Sequence, residues 1–192
     1  MAEYAVAVCG FGRCGSTMAM TMLVAGGCPP GNAAEPPYEG LPSGLVGRDL
    51  SGTCVKLLHG GRMGEIPAGP TPAWRFVWLD RNPVEQGKSM VKFLHAMAPV
   101  TAITPRPGAA VGLARTFEQD RPGVLGALRR VGPVLVLDYE RVLARPRKAA
   151  LLLRREVWPG LDVDAAAAVV HERNGLCRPD LAVELGMKPG GR

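Results

Sequence analysis

The sequence predicts an α/β protein: a three-layer fold around a mostly parallel central sheet of four or five strands. Two observations predict it. Four short apolar runs, each five or six residues or fewer, are nearly continuous rather than alternating, as strands buried on both faces require. Between them lie longer stretches with helical spacing, and strands alternating with helices imply a parallel sheet covered on both sides.

The elements follow in order. Residues 4–9 (YAVAVC) form the first strand and end in glycines. After Gly15, the run STMAMTMLVA is apolar nearly all round and closes on Gly26-Gly27, a buried helix with a glycine stop. Residues 28–52 are rich in Pro and Gly and read as an extended surface loop. Residues 53–58 (TCVKLL) and 74–79 (WRFVWL) are the second and third strands, and Pro83 opens a helix that continues over 84–97. A Pro-rich break at 99–108 leads to a helical stretch interrupted at Pro122-Gly123. Residues 134–137 (VLVL) form a fourth strand, with helical segments at about 140–157 and 163–171. The stretch 174–192 has little periodicity and reads as a surface wrap.

Composition narrows the class. With 192 residues, 47% hydrophobic, the chain suits one globular domain spanning 1–192 and excludes wholesale disorder. No apolar run approaches the roughly 18 residues of a membrane span. The first ten residues carry Glu3 and no basic stretch, so they do not read as a secretion signal. Net charge is +6, and 18 of the 23 basic residues are Arg. Guanidinium forks match phosphate and sulfate geometry, although a genome-wide bias toward Arg would give the same count. The cations are dispersed and lack interleaved aromatics, which argues against nucleic acid. The five cysteines (9, 14, 28, 54 and 177) form no CxxC pair. They suit a reducing, cytoplasmic setting and not a structural zinc site.

The strongest local signal is Gly10-Phe11-Gly12-Arg13-Cys14-Gly15-Ser16-Thr17, between the first strand and the first helix. Glycines there let backbone N–H groups approach a phosphate, and the helix N-terminus adds partial positive charge. Gly10 and Gly15 match the P-loop spacing, but Ser16 stands where the lysine should be, and the loop's cation is Arg13. A tyrosine-phosphatase loop fails because Gly15 stands at the arginine position counted from Cys9. A dinucleotide fingerprint fails because no acidic residue closes a following short strand.

Residues Gly12-Arg13-Cys14-Gly15-Ser16-Thr17 resemble the 5′-phosphosulfate-binding loop of sulfotransferases, P-[RK]-S-G-[ST]-[ST], with Gly12 and Cys14 replacing the proline and first serine. A second segment, Arg81-Asn82-Pro83 with Ser89 and Phe93, is similar to that family's 3′-phosphate-binding segment, R-[ND]-P-x5-S-x3-F, at every fixed position. A third, Leu137-Asp138-Tyr139-Glu140-Arg141-Val142-Leu143 with Pro146, resembles its late L-x-Y-E-x-L segment. The resemblance spans about residues 5–155. It implies a P-loop-type fold and transfer of a sulfuryl group from 3′-phosphoadenosine 5′-phosphosulfate, without a metal, to a hydroxyl or amine. It also implies that Gly12, Arg13, Cys14, Gly15, Ser16 and Thr17 hold the phosphosulfate, and that Arg81 and Ser89 hold the 3′ phosphate. The acceptor, whether small molecule, carbohydrate or lipid, stays open, as does assembly into a homo-oligomer.

Such a transfer needs a base near the acceptor and cations on the developing charge. The candidate base is His59, at the end of the second strand, where ligands of such folds gather. Sulfotransferases carry Lys-x-His at this place; here the run is Lys56-x-x-His59, one residue longer. Lys56 is a candidate for the sulfonate, and Glu35, Glu39 and Glu65 are alternative bases. His95 and His171 fall in helical patterns and read as structural or solvated. Two other classes compete. A P-loop kinase or nucleotidase using ATP and magnesium would take Asp80 as its metal carboxylate. A non-catalytic nucleotide-binding module would need no base at all.

Overall fold

The computed structural model describes residues 3–31, 47–58, 71, 73–101 and 105–171. Its centre is β1 (Ala5–Gly10), six consecutive buried residues. Such a strand is stable only with a neighbour on each edge and a layer on each face. It has both. β2 (Cys54–Leu58) pairs parallel on one edge and β3 (Trp74–Asp80) on the other. β4 (Val134–Asp138) pairs parallel beyond β3, so the sheet reads β2-β1-β3-β4 and is parallel throughout.

The side chains of β1 alternate between two cores. Val6 and Val8 pack with α1 (Ser16–Ala25), α5 (Pro146–Glu156) and α6 (Val163–Ala168). Ala5, Ala7 and Cys9 face a second cluster holding Phe76, Trp78 and the inner face of α3 (Ala109–Val131). A short α4 (Tyr139–Ala144) follows β4, its N-terminus capped by Asp138 Oδ1 accepting from the Arg141 N–H at 2.7 Å. The layers are helix, sheet, helix, as expected.

α1 starts after Gly15 and stops at Gly26-Gly27, as its sequence predicts. α2 (Pro83–Thr101) also starts where expected: Asn82 Oδ1 accepts from the Val84 and Glu85 N–H groups at 3.0 and 3.2 Å, and Pro83 takes the first helical position. Two expectations are corrected. α2 runs through Pro99 to Thr101 rather than breaking at 99, because a proline in a last turn removes only its own N–H bond, here to the carbonyl of the exposed His95. α3 is continuous across Pro122-Gly123. Phe117 before the proline and Val124, Leu125 and Leu128 after it are all buried in one cluster, and that packing outweighs the lost hydrogen bond. The last helix is shorter than the expected 163–171, ending at Ala168. The expected wrap at 174–192, Cys177 and most of the 28–52 loop lie outside the described residues. Among the described residues, no helix is long and apolar enough to cross a membrane.

Candidate functional site

In the order β2-β1-β3-β4 the chain leaves β1 toward one edge and returns from β2 to the other. The connections at the carboxyl ends of β1 and β3 therefore diverge and leave a crevice between them, the usual ligand position in open parallel sheets. The glycine-rich loop follows β1, and Arg81 follows β3, so the two segments singled out from the sequence flank that crevice.

The loop is tightly wound. The Cys14 N–H donates to the Phe11 carbonyl at 3.1 Å, and the first helical bond runs from Ala19 N–H to the Gly15 carbonyl at 3.2 Å. The N–H groups of Ser16, Thr17 and Met18 precede that bond, and Gly15 offers no side-chain cap, so the start of α1 presents donors to whatever lies in the loop. Gly15 has φ +102°, and a Cβ there would stand 2.5 Å from the Tyr139 ring. Only glycine allows both the left-handed turn and the ring's approach. Gln86 on α2 fixes the other side, its amide donating to the carbonyls of Phe11 and Gly12 at 3.1 and 2.9 Å.

Three cations belong to or contact the glycine-rich loop and the start of α1. Arg13 belongs to the loop itself, with its guanidinium 5.2 Å from the Phe93 ring centroid. Arg81, 8% exposed, donates from Nη1 to the Arg13 carbonyl at 2.7 Å, lies 4.7 Å from the Tyr139 ring centroid and is 3.9 Å from Glu140. Lys56, 4% exposed, extends from β2 and donates from Nζ to Thr17 Oγ1 at 2.8 Å. An ammonium absent from the loop's own sequence is thus delivered to the start of α1 by the neighbouring strand. Its charge reaches Cys14: burial pushes that thiol up, while hydrogen bonds from Ser16 and the Lys56 charge pull it back. The Cys14 side chain is in the core, so what this residue offers the crevice is loop shape.

Ser89 is buried on α2, three residues past Gln86 and one before Met90, whose methyl group approaches Gly12. Arg81 and Lys56 are tied to the Gly12–Thr17 segment by the contacts above, and Ser89 lies on α2, the helix whose Gln86 holds the loop carbonyls. His59, Glu35, Glu39 and Glu65 lie outside the described residues, and His95 and His171 are exposed. Asp80 is ion-paired with Arg121 of α3. Burial raises the Asp80 pKa, Asp138 beside it in register adds to this, and Arg121 opposes it. The sequence reading missed Gln86 and Arg121, since no local spacing ties either to the loop; the nearest signal for Gln86 is its place one turn into the helix that follows Arg81.

No protein-family model matches the chain, and no curated protein matches it.

Proposed function

We propose that the protein is a sulfotransferase that moves a sulfuryl group from 3′-phosphoadenosine 5′-phosphosulfate to a hydroxyl or amine acceptor. The observation that carries this reading is the 2.7 Å hydrogen bond from Arg81 to the Arg13 carbonyl. It joins the two segments that resemble the family's 5′ and 3′ anion sites, which the sequence separates by 68 residues. Arg13, Lys56 and the amides opening α1 would hold the phosphosulfate, and Arg81 and Ser89 the 3′ phosphate. Each charge-assisted contact is worth roughly 1.5–3 kcal/mol.

In the reaction the acceptor oxygen forms a bond to sulfur while the bond from sulfur to the 5′-phosphate oxygen breaks. Negative charge grows on that leaving oxygen, where Arg13, Lys56 and the helix N-terminus stabilise it. The acceptor's proton passes to a base, for which we propose His59, the residue after β2. The four buried free cysteines among the described residues fit the cytoplasmic setting we propose. The kinase reading is less well supported: its metal carboxylate, Asp80, is engaged by Arg121, and Ser16 replaces the P-loop lysine.

Thermal unfolding tests the donor. Adenosine 3′,5′-bisphosphate without metal, at 100 times its dissociation constant, should add about 2.7 kcal/mol of stability. For a domain of this size that raises Tm by about 5–11 °C. AMP and ATP with magnesium should raise it less at equal concentration. An equal response to AMP would remove the 3′ site, and with it this donor.

A further inference from the structure

The basic residues are spread along the sequence, but their net charge is not. Residues 139–156, which carry α4 and α5, hold six Arg or Lys and two Glu, a net +4 of the molecule's +6. Under a tenth of the chain thus carries two thirds of the net charge, because acids elsewhere offset the other cations. Arg141, Arg145, Arg147, Lys148, Arg154 and Arg155 are all exposed. Arg147 is paired with Asp164 of α6 at 2.7 Å and Arg155 with Glu156 at 2.6 Å, but exposed pairs of this kind are weak and readily exchanged. Among the described residues, Arg141, Arg145, Lys148 and Arg154 make no ion pair.

The faces of α5 decide what these cations can meet. Ala149, Ala150 and Leu153 are buried in the core. Arg147, Lys148, Leu151, Arg154 and Arg155 recur at three- and four-residue spacing on the opposite side of the helix. Leu151, 42% exposed, lies among the cations. A bilayer surface presents the complement of both: anionic headgroups for the cations and, beneath them, hydrocarbon for the leucine. Its headgroups are mobile, so each long side chain finds an anion without any fixed spacing. An acidic polypeptide would instead have to match the spacing of cations spread over a convex helix. We propose that the α4–α5 face is a peripheral docking surface for membranes that contain anionic lipid. The apolar side of α5 stays in the core, so the folded domain docks on the bilayer and the helix does not insert. Each Lys or Arg brought near such a surface strengthens binding about fivefold. The assignment does not rest on the sulfotransferase reading.

Sedimentation of the full chain with unilamellar vesicles tests this. At about 0.1 M salt, phosphatidylcholine vesicles containing about 30% phosphatidylserine should bind it at least about tenfold more tightly than pure phosphatidylcholine. Salt at about 1 M, where the Debye length is about 3 Å, should release it. Lys148→Glu with Arg154→Glu should weaken binding to the anionic vesicles at least about tenfold. Arg115→Glu with Arg130→Glu makes the same change in net charge on exposed residues of α3, across the sheet, and should weaken it less than about threefold. All four residues are exposed and outside the ion pairs above, so both variants should keep the wild-type circular dichroism and Tm. Equal binding to neutral vesicles, no binding to anionic ones, an undiminished α5 variant, or an equal loss in the α3 variant overturns the docking surface. Capture by polyglutamate without binding to vesicles also overturns it and gives the face to an acidic polypeptide.

Discussion

At Arg13 the backbone has φ +68°, a left-handed conformation that a side chain with a Cβ adopts at a cost of roughly 1–2 kcal/mol. Glycine would relieve that strain, and glycines already flank the position at 12 and 15. A strained arginine persists when the surroundings hold it in place, and here Arg81 grips its carbonyl while Phe93 lies under its guanidinium. The strain is thus tied to presenting a cation from inside the loop. Comparing two variants that both lack the cation isolates the backbone cost. Arg13→Gly should be more stable than Arg13→Ala by about 1 kcal/mol, the reverse of the order expected at a helical site. Both should bind adenosine 3′,5′-bisphosphate more weakly than wild type. Urea unfolding of the pair checks the first statement. Equal midpoints would mean that the left-handed turn at Arg13 carries no measurable strain.

Helix α2 contains Gly87, an interior glycine that should cost about 1 kcal/mol relative to alanine. Packing explains it. A Cβ at Gly87 would stand 2.4 Å from the Ala110 carbonyl oxygen and 3.4 Å from the Ala114 nitrogen, so α2 and α3 cross with backbones nearly touching. Since the neighbour is backbone rather than a flexible side chain, Gly87→Ala should separate the helices and lower stability by about 1–3 kcal/mol, despite better helix propensity. It should also weaken nucleotide binding, because Gln86 beside it holds the loop carbonyls; a rise in Tm would refute this account of the crossing. The same crossing shows where sequence reading succeeds and where it stops. β1, α1 and the start of α2 are written in local signals: a continuous apolar run, a glycine stop, an Asn-Pro cap. The continuity of α3 is not local. Pro122-Gly123 reads as a break, and only the burial of Phe117, Val124, Leu125 and Leu128 on one face overrides it. Arg13, Arg81 and Ser89 belong to segments whose covalent spacing is legible in the sequence. The contacts of Gln86 with Phe11, of Tyr139 with Gly15 and of Arg121 with Asp80 join residues 41 to 124 positions apart and exist only after folding.

Across the whole molecule the sheet acts as a ruler. Neighbouring strands stand about 4.8 Å apart, so Lys56 on β2 lies about 10 Å from Val77, its level on β3, with Val8 of β1 between them; Arg81 is four residues further along at about 3.3 Å each, which brings the backbone separation to about 16 Å. In the sulfotransferase reading we propose, a donor lying across the strand ends would meet them at opposite ends, with the bond broken near Lys56 and the 3′ phosphate near Arg81. Distance from the reacting bond decides what each cation contributes. A contact that is equally strong in ground and transition states affects binding, whereas one at the developing charge affects turnover. Lys56→Met should therefore lower kcat about 10²-fold or more while leaving the dissociation constant of adenosine 3′,5′-bisphosphate within about threefold of wild type. Arg81→Ala should raise that constant by roughly 10- to 100-fold, the equivalent of losing a charge-assisted hydrogen bond of about 1.5–3 kcal/mol. It should also slow turnover modestly, because the Arg13 carbonyl loses its 2.7 Å donor and the loop loosens. The double variant tests the geometry itself. Lys56 donates to Thr17 and Arg81 to the Arg13 carbonyl, two different partners, so their effects on kcat/KM should add in free energy to within about 0.5 kcal/mol. Coupling much larger than that would mean that the two cations grip the same end of the donor, and the nucleotide would then have to lie along β1 rather than across the sheet.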